Sequence, residues 1–202
     1  MDNSVQAAHD AVAIPLRYAR AGSSFVQAAM AGANSCVELE HFPRHDIVDG
    51  KNQTRLYYHA HSSRRRPDAE HGHFHLFSHG QQAGNYMHLV GISLDAVGQP
   101  IRLFTTNRWV TGETWCEAAA VELALARFEV ATRGRMAPIA RWATAMVRLY
   151  FSQMVQLVRR RDAVMAQRNT LVDWETLCED RRLDVVTQSQ ISLSKRIQQL
   201  GC

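Results

Sequence analysis

Four histidines fall within ten residues in EHGHFHLFSH (Glu70–His79), and three of them, His71, His73 and His75, alternate with other residues. Upstream, YYHAH supplies His59 and His61 at the same spacing. Imidazole can ligate a metal, accept or give a proton near neutrality, or attack as a nucleophile. Which of these applies depends on whether several rings reach one point. In an extended strand, residues two apart share a face. Over 71–78 one face carries His71, His73, His75 and Phe77, and the other Gly72, Phe74 and Leu76. Over 54–61 Tyr57, His59 and His61 lie opposite Leu56, Tyr58 and Ala60. If the two strands pair, both apolar faces must meet one core. The imidazoles then share the other side of the sheet.

Opposed residues on neighbouring strands have β-carbons about 4.5–5.5 Å apart. A zinc–nitrogen bond is about 2.0–2.1 Å. Two histidines from one strand and one or two from its neighbour can therefore close on one ion. The simplest register sets His61 opposite His71, His59 opposite His73 and Tyr57 opposite His75. His59, His61, His71, His73 and His75 are the candidate ligands of a transition metal, and imidazole suits zinc, iron or copper. Three ligands with an open position would make the site catalytic; storage and sensing stay open. Asp46, Asp49, Asp68 and Glu70 are nearby in sequence, and Asp46 or Glu70 would serve as base or as anchor for an imidazole.

These residues need a sheet to hold them. TRLYYHAH, HGHFHLFS, YMHLVGISL and IRLFTTNRW read as four strands over 54–61, 71–78, 86–94 and 101–109, with DAVGQP as the last hairpin turn. A four-stranded antiparallel meander is the simplest topology. His88, on the third strand with Tyr86, Val90 and Ile92, reads as a buried, hydrogen-bonded histidine. At the end of the fourth, Asn107 and Arg108 would contact a substrate, unless TGET only caps the next helix. The connection between the first two strands carries Arg64–Arg66. It reads as an exposed loop or as a lid attracting an anionic small molecule.

Residues 1–32 are helical in pattern, interrupted by Pro15 and by AGSS at 21–24, which predicts two short helices. From residue 113 the pattern is helical again: one helix over roughly 115–132, then a second entered at Pro138 and running to about Arg168. In the second, Ile139, Trp142, Met146, Leu149, Tyr150, Met154 and Leu157 form one buried stripe. One or two amphipathic helices follow. The expected fold is α+β: one domain over 1–202, with the histidine-rich sheet (33–112) packed against N-terminal (1–32) and C-terminal (113–202) helices.

A chain of 202 residues, 46% hydrophobic and 21% charged, is ordinary for one globular domain. No apolar run is long enough to span a bilayer, and MDNSVQAAHDAV lacks a basic signal region, so no membrane partner and a cytoplasmic location are expected. Cys36, Cys116, Cys178 and Cys202 form no paired motif, which argues against a disulfide framework or a thiolate zinc site. The net charge is +4, and with only Lys51 and Lys195 as lysines, 21 of the 23 basic residues are arginine. That bias hints at a bacterial source. Runs of three arginines at 64–66 and 159–161 lack interleaved aromatics, so nucleic acid is not expected as a partner. They read as a solvated loop and a solvated helix face. The oligomeric state is not encoded legibly.

Two resemblances add expectations. HGHFHLF is similar to the alternating motif of histidine-triad nucleotide hydrolases and transferases; that likeness implies His73 as nucleophile, with His71 and His75 stabilising charge. The glycine-rich phosphate-contacting stretch of that family is absent, SSRRRPDAE standing in its place. YYHAH, EHGHFHLF and LFTTNRWVTGE together resemble segments of an uncharacterised bacterial family, a domain of unknown function, which implies bacterial origin and no particular activity. The H-x-H element is similar to that of cupins, without their second motif. A third reading is a non-catalytic interaction domain whose histidines hydrogen-bond or respond to pH.

Overall fold

A computed structural model describes residues 3–33, 40–60, 69–79 and 85–201. His61, Arg64–Arg66, Asp68, Cys36 and Cys202 lie outside the described residues. The order of elements is α1 (Asn3–Arg20), α2 (Phe25–Ala29), β1 (Phe42–Asp49), β2 (Thr54–His59), β3 (Gly72–His79), β4 (Tyr86–Leu94), β5 (Pro100–Thr106), α3 (Arg108–Thr111), α4 (Ala118–Arg127), α5 (Ala137–Asn169), α6 (Trp174–Cys178), β6 (Val185–Gln190) and α7 (Leu193–Gln199). The fold is α+β, as its patterning predicts. The sheet, however, has six strands rather than four, in the order β1-β2-β3-β4-β5-β6, and every neighbouring pair is antiparallel.

The two additional strands are the edges. β1 carries Pro43, which a central strand would not tolerate because it lacks an N–H to donate. β6 is mostly polar, VVTQSQ, within a stretch expected to be helical. Edge strands pack on one side and bond on one side, so their sequences need not alternate apolar residues strongly.

Helices α1, α2, α4 and α5 belong to the core cluster on one face of the sheet. Leu56, Tyr58, Phe74, Leu76, Leu89, Val90, Ile92 and Leu103 supply the sheet's side of that core. Phe25, Phe74 and Trp142 pack at tilted angles at its centre, with ring centroids 4.7–6.3 Å apart. All seven stripe residues of α5 are buried. Pro138 sits in the first turn of α5, where its missing N–H costs nothing.

Pro15, expected to break the first helix, lies inside α1 without ending it. Ala7, Ala8, Ala11 and Ile14 ahead of it are buried in the core and Tyr18 beyond it packs against the same core, and that burial outweighs the local cost of proline. The break comes at 21–24, where Ser24 and Gln27 form a capping box that starts α2. α4 is shorter than expected at both ends. The 159–161 run is not wholly solvated: Arg159 pairs with Glu122 at 2.6 Å, but Arg161 is 2% exposed, lying over the Trp115 ring and bonding Asp162. Among the described residues no helix is long and apolar enough to cross a membrane. Cys116 and Cys178 are free thiols.

Candidate functional site

The face of the sheet turned away from α5 carries the histidines. β2 and β3 pair with Tyr57 opposite His75 and His59 opposite His73, the register expected from the apolar pattern. Ring centroids run 5.5 Å from His59 to His73, 4.8 Å from His73 to His75 and 5.1 Å from His75 to His88. His41, from the segment leading into β1, stacks on Tyr57 at 3.7 Å and stands 6.4 Å from His59. Five imidazoles thus form one continuous row. His59, His73, His75 and His88 are all buried.

His71 departs from the row. It precedes the first residue of β3, and its Nδ1 lies 2.9 Å from the Tyr58 hydroxyl, on the core side of the sheet. Gly72 makes this contact accessible: a β-carbon there would sit 2.6 Å from both the Tyr58 hydroxyl oxygen and the His59 carbonyl oxygen. The alternating set is therefore His73 and His75, with His71 tied to a core tyrosine. The simple alternation stops because the chain is no longer in the regular strand at residue 71.

His88 departs from expectation in the opposite sense. The register of β3 and β4 shifts between Leu76, opposite Val90, and Phe77, opposite His88. Leu89 is the extra residue of a bulge, so Leu89 and Val90 both enter the core. His88 is thereby moved onto the imidazole face, beside His75 and Phe77. Gly91, opposite His75, has no side chain because the Phe104 ring lies where one would be; a β-carbon would collide with it. Phe104 in turn packs edge-on against His73 and His75.

Each ring of the row engages a partner through Nδ1. His59 Nδ1 lies 3.1 Å from the Glu40 carbonyl oxygen, to which it donates. His73 Nδ1 lies 2.7 Å from Glu70 Oε1. Arg102 donates to Glu70 Oε2 at 2.6 Å, to Ser93 and to Gln188. His75 Nδ1 is 3.0 Å from His88 Nε2, and His88 Nδ1 is 3.1 Å from Thr106 Oγ1. His41 Nδ1 is 3.0 Å from Asp46 Oδ1, and Asp46 also pairs with Arg55. An arginine–carboxylate–histidine series thus occurs twice, as Arg102–Glu70–His73 and Arg55–Asp46–His41. Arg55 lies over the Tyr86 ring, 4.4 Å from its centroid.

Electrostatics separate these groups. Burial alone would push the Glu70 carboxyl up, but the His73 hydrogen bond and charge, Ser93 and Arg102 outweigh it and hold it at about 2. Burial drives His75 well below the usual imidazole range, reinforced by the neighbouring His73, His88, His59 and His41. Burial, with Arg161 and His73, lowers His88 to about 3. The contact of His88 Nδ1 with Glu113 Oε2 at 3.9 Å is therefore one between a neutral ring and a carboxyl group, not a charged pair. Burial and Asp46 raise the Tyr57 hydroxyl far above its ordinary value.

Asn107 and Arg108 do other work in the fold. Asn107 caps α3 and donates from Nδ2 to the Leu177 carbonyl oxygen at 2.8 Å. Arg108 pairs with Glu175 and Glu179 on the outside, raised above its usual value by the Glu175 hydrogen bond. Their polar bonds hold the α6 segment rather than the imidazole face. Asp49 likewise organises its own turn, accepting from Lys51, Asn52 and Ala131.

Sequence reasoning missed Arg102, Thr106 and Glu113 as neighbours of the rings. Arg102 had a signal: it is an arginine inside an otherwise apolar strand, and a buried arginine requires a carboxylate partner. Glu113 had none, because it comes from the loop after α3. Among the described residues no three His, Cys, Asp or Glu side chains stand close enough to hold a metal as they are.

No curated protein and no solved structure matches the chain. Residues 5–191 match the sequence model of one family, and the chain belongs to it: the Domain of unknown function (DUF6969) family.

Proposed function

We propose that the imidazole row is a transition-metal site in which His59, His73 and His75 bind through Nε2. One observation carries this reading: three adjacent rings each give Nδ1 to a supporting group, the Glu40 carbonyl oxygen, the Glu70 carboxylate and His88. Metal-ligating histidines have this arrangement, in which the supporting bond sets ring orientation and basicity. Two imidazoles sharing one tetrahedral ion through Nε2 have centroids about 5 Å apart. The His59–His73 and His73–His75 separations, 5.5 Å and 4.8 Å, lie near that value. Nitrogen donors without a thiolate favour zinc, iron or copper. His61 is a further candidate ligand. An ion there would polarise a bound oxygen or acidify a bound water.

The residues around it have separable tasks. Arg102 keeps Glu70 ionised, and Glu70 keeps a hydrogen on His73 Nδ1. Phe104 and Phe77 exclude water from the rings. Metal analysis of untagged protein tests the reading. Zinc, iron or copper near one equivalent, lost in His59→Ala and in His73→Ala, is the expected result. No retained metal after reconstitution with each of the three ions would overturn it.

The Glu70–His73 contact at 2.7 Å favours a second reading, nucleotidyl transfer with His73 as nucleophile. A carboxylate on one ring nitrogen makes the other a better nucleophile and stabilises the charged intermediate. A covalent adduct with labelled nucleotide in metal-free protein, absent in His73→Ala, would establish it in place of the first.

A further inference from the structure

We infer that the corner between the end of α1, the end of α2 and the start of α5 binds a small organic phosphate, a phosphate monoester with an apolar body. This corner is on the helical side of the sheet, away from the imidazole face, and it stands whether or not that face holds a metal.

A cavity of about 320 Å³ opens there. Small-molecule sites run from roughly 300 to 1,000 Å³ and combine apolar walls with a few convergent polar groups. Tyr18, Ala28, Met136 and Pro138 give apolar walls, and Arg17 and Arg135 bring positive charge from two different elements. Tyr18, Ala28 and Met136 also pack against the main core, which backs the walls. No acidic residue lines the cavity among the described residues.

The donors here are uncommitted. Among the described residues neither the Arg17 nor the Arg135 guanidinium has a hydrogen-bond or carboxylate partner, and the Tyr18 hydroxyl has none either. Arg55, Arg102, Arg108 and Arg159, by contrast, are each held by a carboxylate. Arg135 Nη2 lies 3.4 Å from where a β-carbon on Gly32 would stand. Its side chain therefore reaches from the α5 side to the turn after α2, across the corner. The approach to α5 and its first turn carry no acidic residue and no side-chain cap, so no carboxylate there neutralises the two cations.

The lining backbone is also unusual. Ala31 and Gly134, both on the cavity, have left-handed φ values of 55° and 77°. Glycine adopts this conformation freely, but alanine is strained in it, and such strain clusters at ligand sites. Two free guanidinium groups match the double charge of a phosphate monoester, and each can give it paired N–H···O bonds. A single carboxylate would satisfy only one of them. The Tyr18 ring, Met136 and Pro138 supply surface for an apolar body.

Calorimetric titration of metal-free protein tests this, the metal being removed so that no ion on the imidazole face takes phosphate. Phenyl phosphate should bind at one saturable equivalent, more tightly than inorganic phosphate or benzoate. Arg17→Ala and Arg135→Ala should each weaken it about 10- to 100-fold, the usual size for a charged hydrogen-bonding partner. Arg20→Ala and Arg133→Ala remove the same charge from neighbouring positions outside the cavity and should change it little. All four arginines are exposed, so the variants keep the fold. Absence of saturable phenyl phosphate binding would overturn the inference. So would equal affinity for inorganic phosphate or benzoate, or equal weakening by all four variants.

Discussion

Acid should unfold this protein through two buried histidines, well before its carboxylates are titrated. His75 and His88 are lowered from an ordinary value of 6.5, His88 to about 3. The unfolded chain therefore takes up protons that the folded chain refuses. The stability each ring contributes is complete above about pH 6.5 and is lost as pH falls toward the folded value. Between pH 7.5 and 5.5 the loss is about 1–2 kcal/mol per ring, so about 3 kcal/mol for the two. That is a large part of a typical total of about 5–15 kcal/mol. His73, His59 and His41 face His75, and Arg161 and His73 face His88, all reinforcing the shift, whereas the Glu113 carboxyl, which also faces His88, does not. Glu70 works in a different window: lowered from 4.5 to about 2, its contribution is lost only between those values. Urea unfolding of metal-free protein, followed by tryptophan fluorescence at both pH values, measures the effect. Wild-type protein should lose about 3 kcal/mol and His88→Gln about half of that. A variant that loses as much as wild-type protein would refute the assignment of His88 as a neutral, proton-refusing ring.

Gly91→Ala should lower stability by about 1–3 kcal/mol, read by thermal denaturation, because the new methyl group displaces the Phe104 ring from its place over the strand. A second-site change of Phe104 to Leu should recover part of that loss. Glu70→Gln should cost about 3–5 kcal/mol in urea unfolding at neutral pH, since it leaves the buried Arg102 guanidinium without its charge partner. The companion change Arg102→Met, made in the Glu70→Gln background, should restore much of it.

The four central strands were legible because their residues alternate and their neighbours close turns. The edges β1 and β6 were not, since Pro43 and the polar VVTQSQ carry no core-facing pattern of their own. Pro15 misled for a related reason: its local preference is real, but α1 is held by Ala7, Ala11 and Ile14 against the core. Glu70 stood out as a candidate anchor because it adjoins the histidines in the chain. Arg102 and Glu113 did not, since strand pairing and a loop bring them in from 32 and 43 residues further on.

The sequence by itself determined that the rings of His59, His73 and His75 share one side of a sheet, because two-residue alternation is a local property of extended chain and the apolar residues admit only one orientation. The tertiary structure decided the membership of the row. The extra residue at Leu89 reverses the alternation and brings in His88, while the departure from strand at residue 71 removes His71. Bulges and strand ends are selected by how neighbouring strands and the core fit together, and the residues that adopt them are ordinary ones.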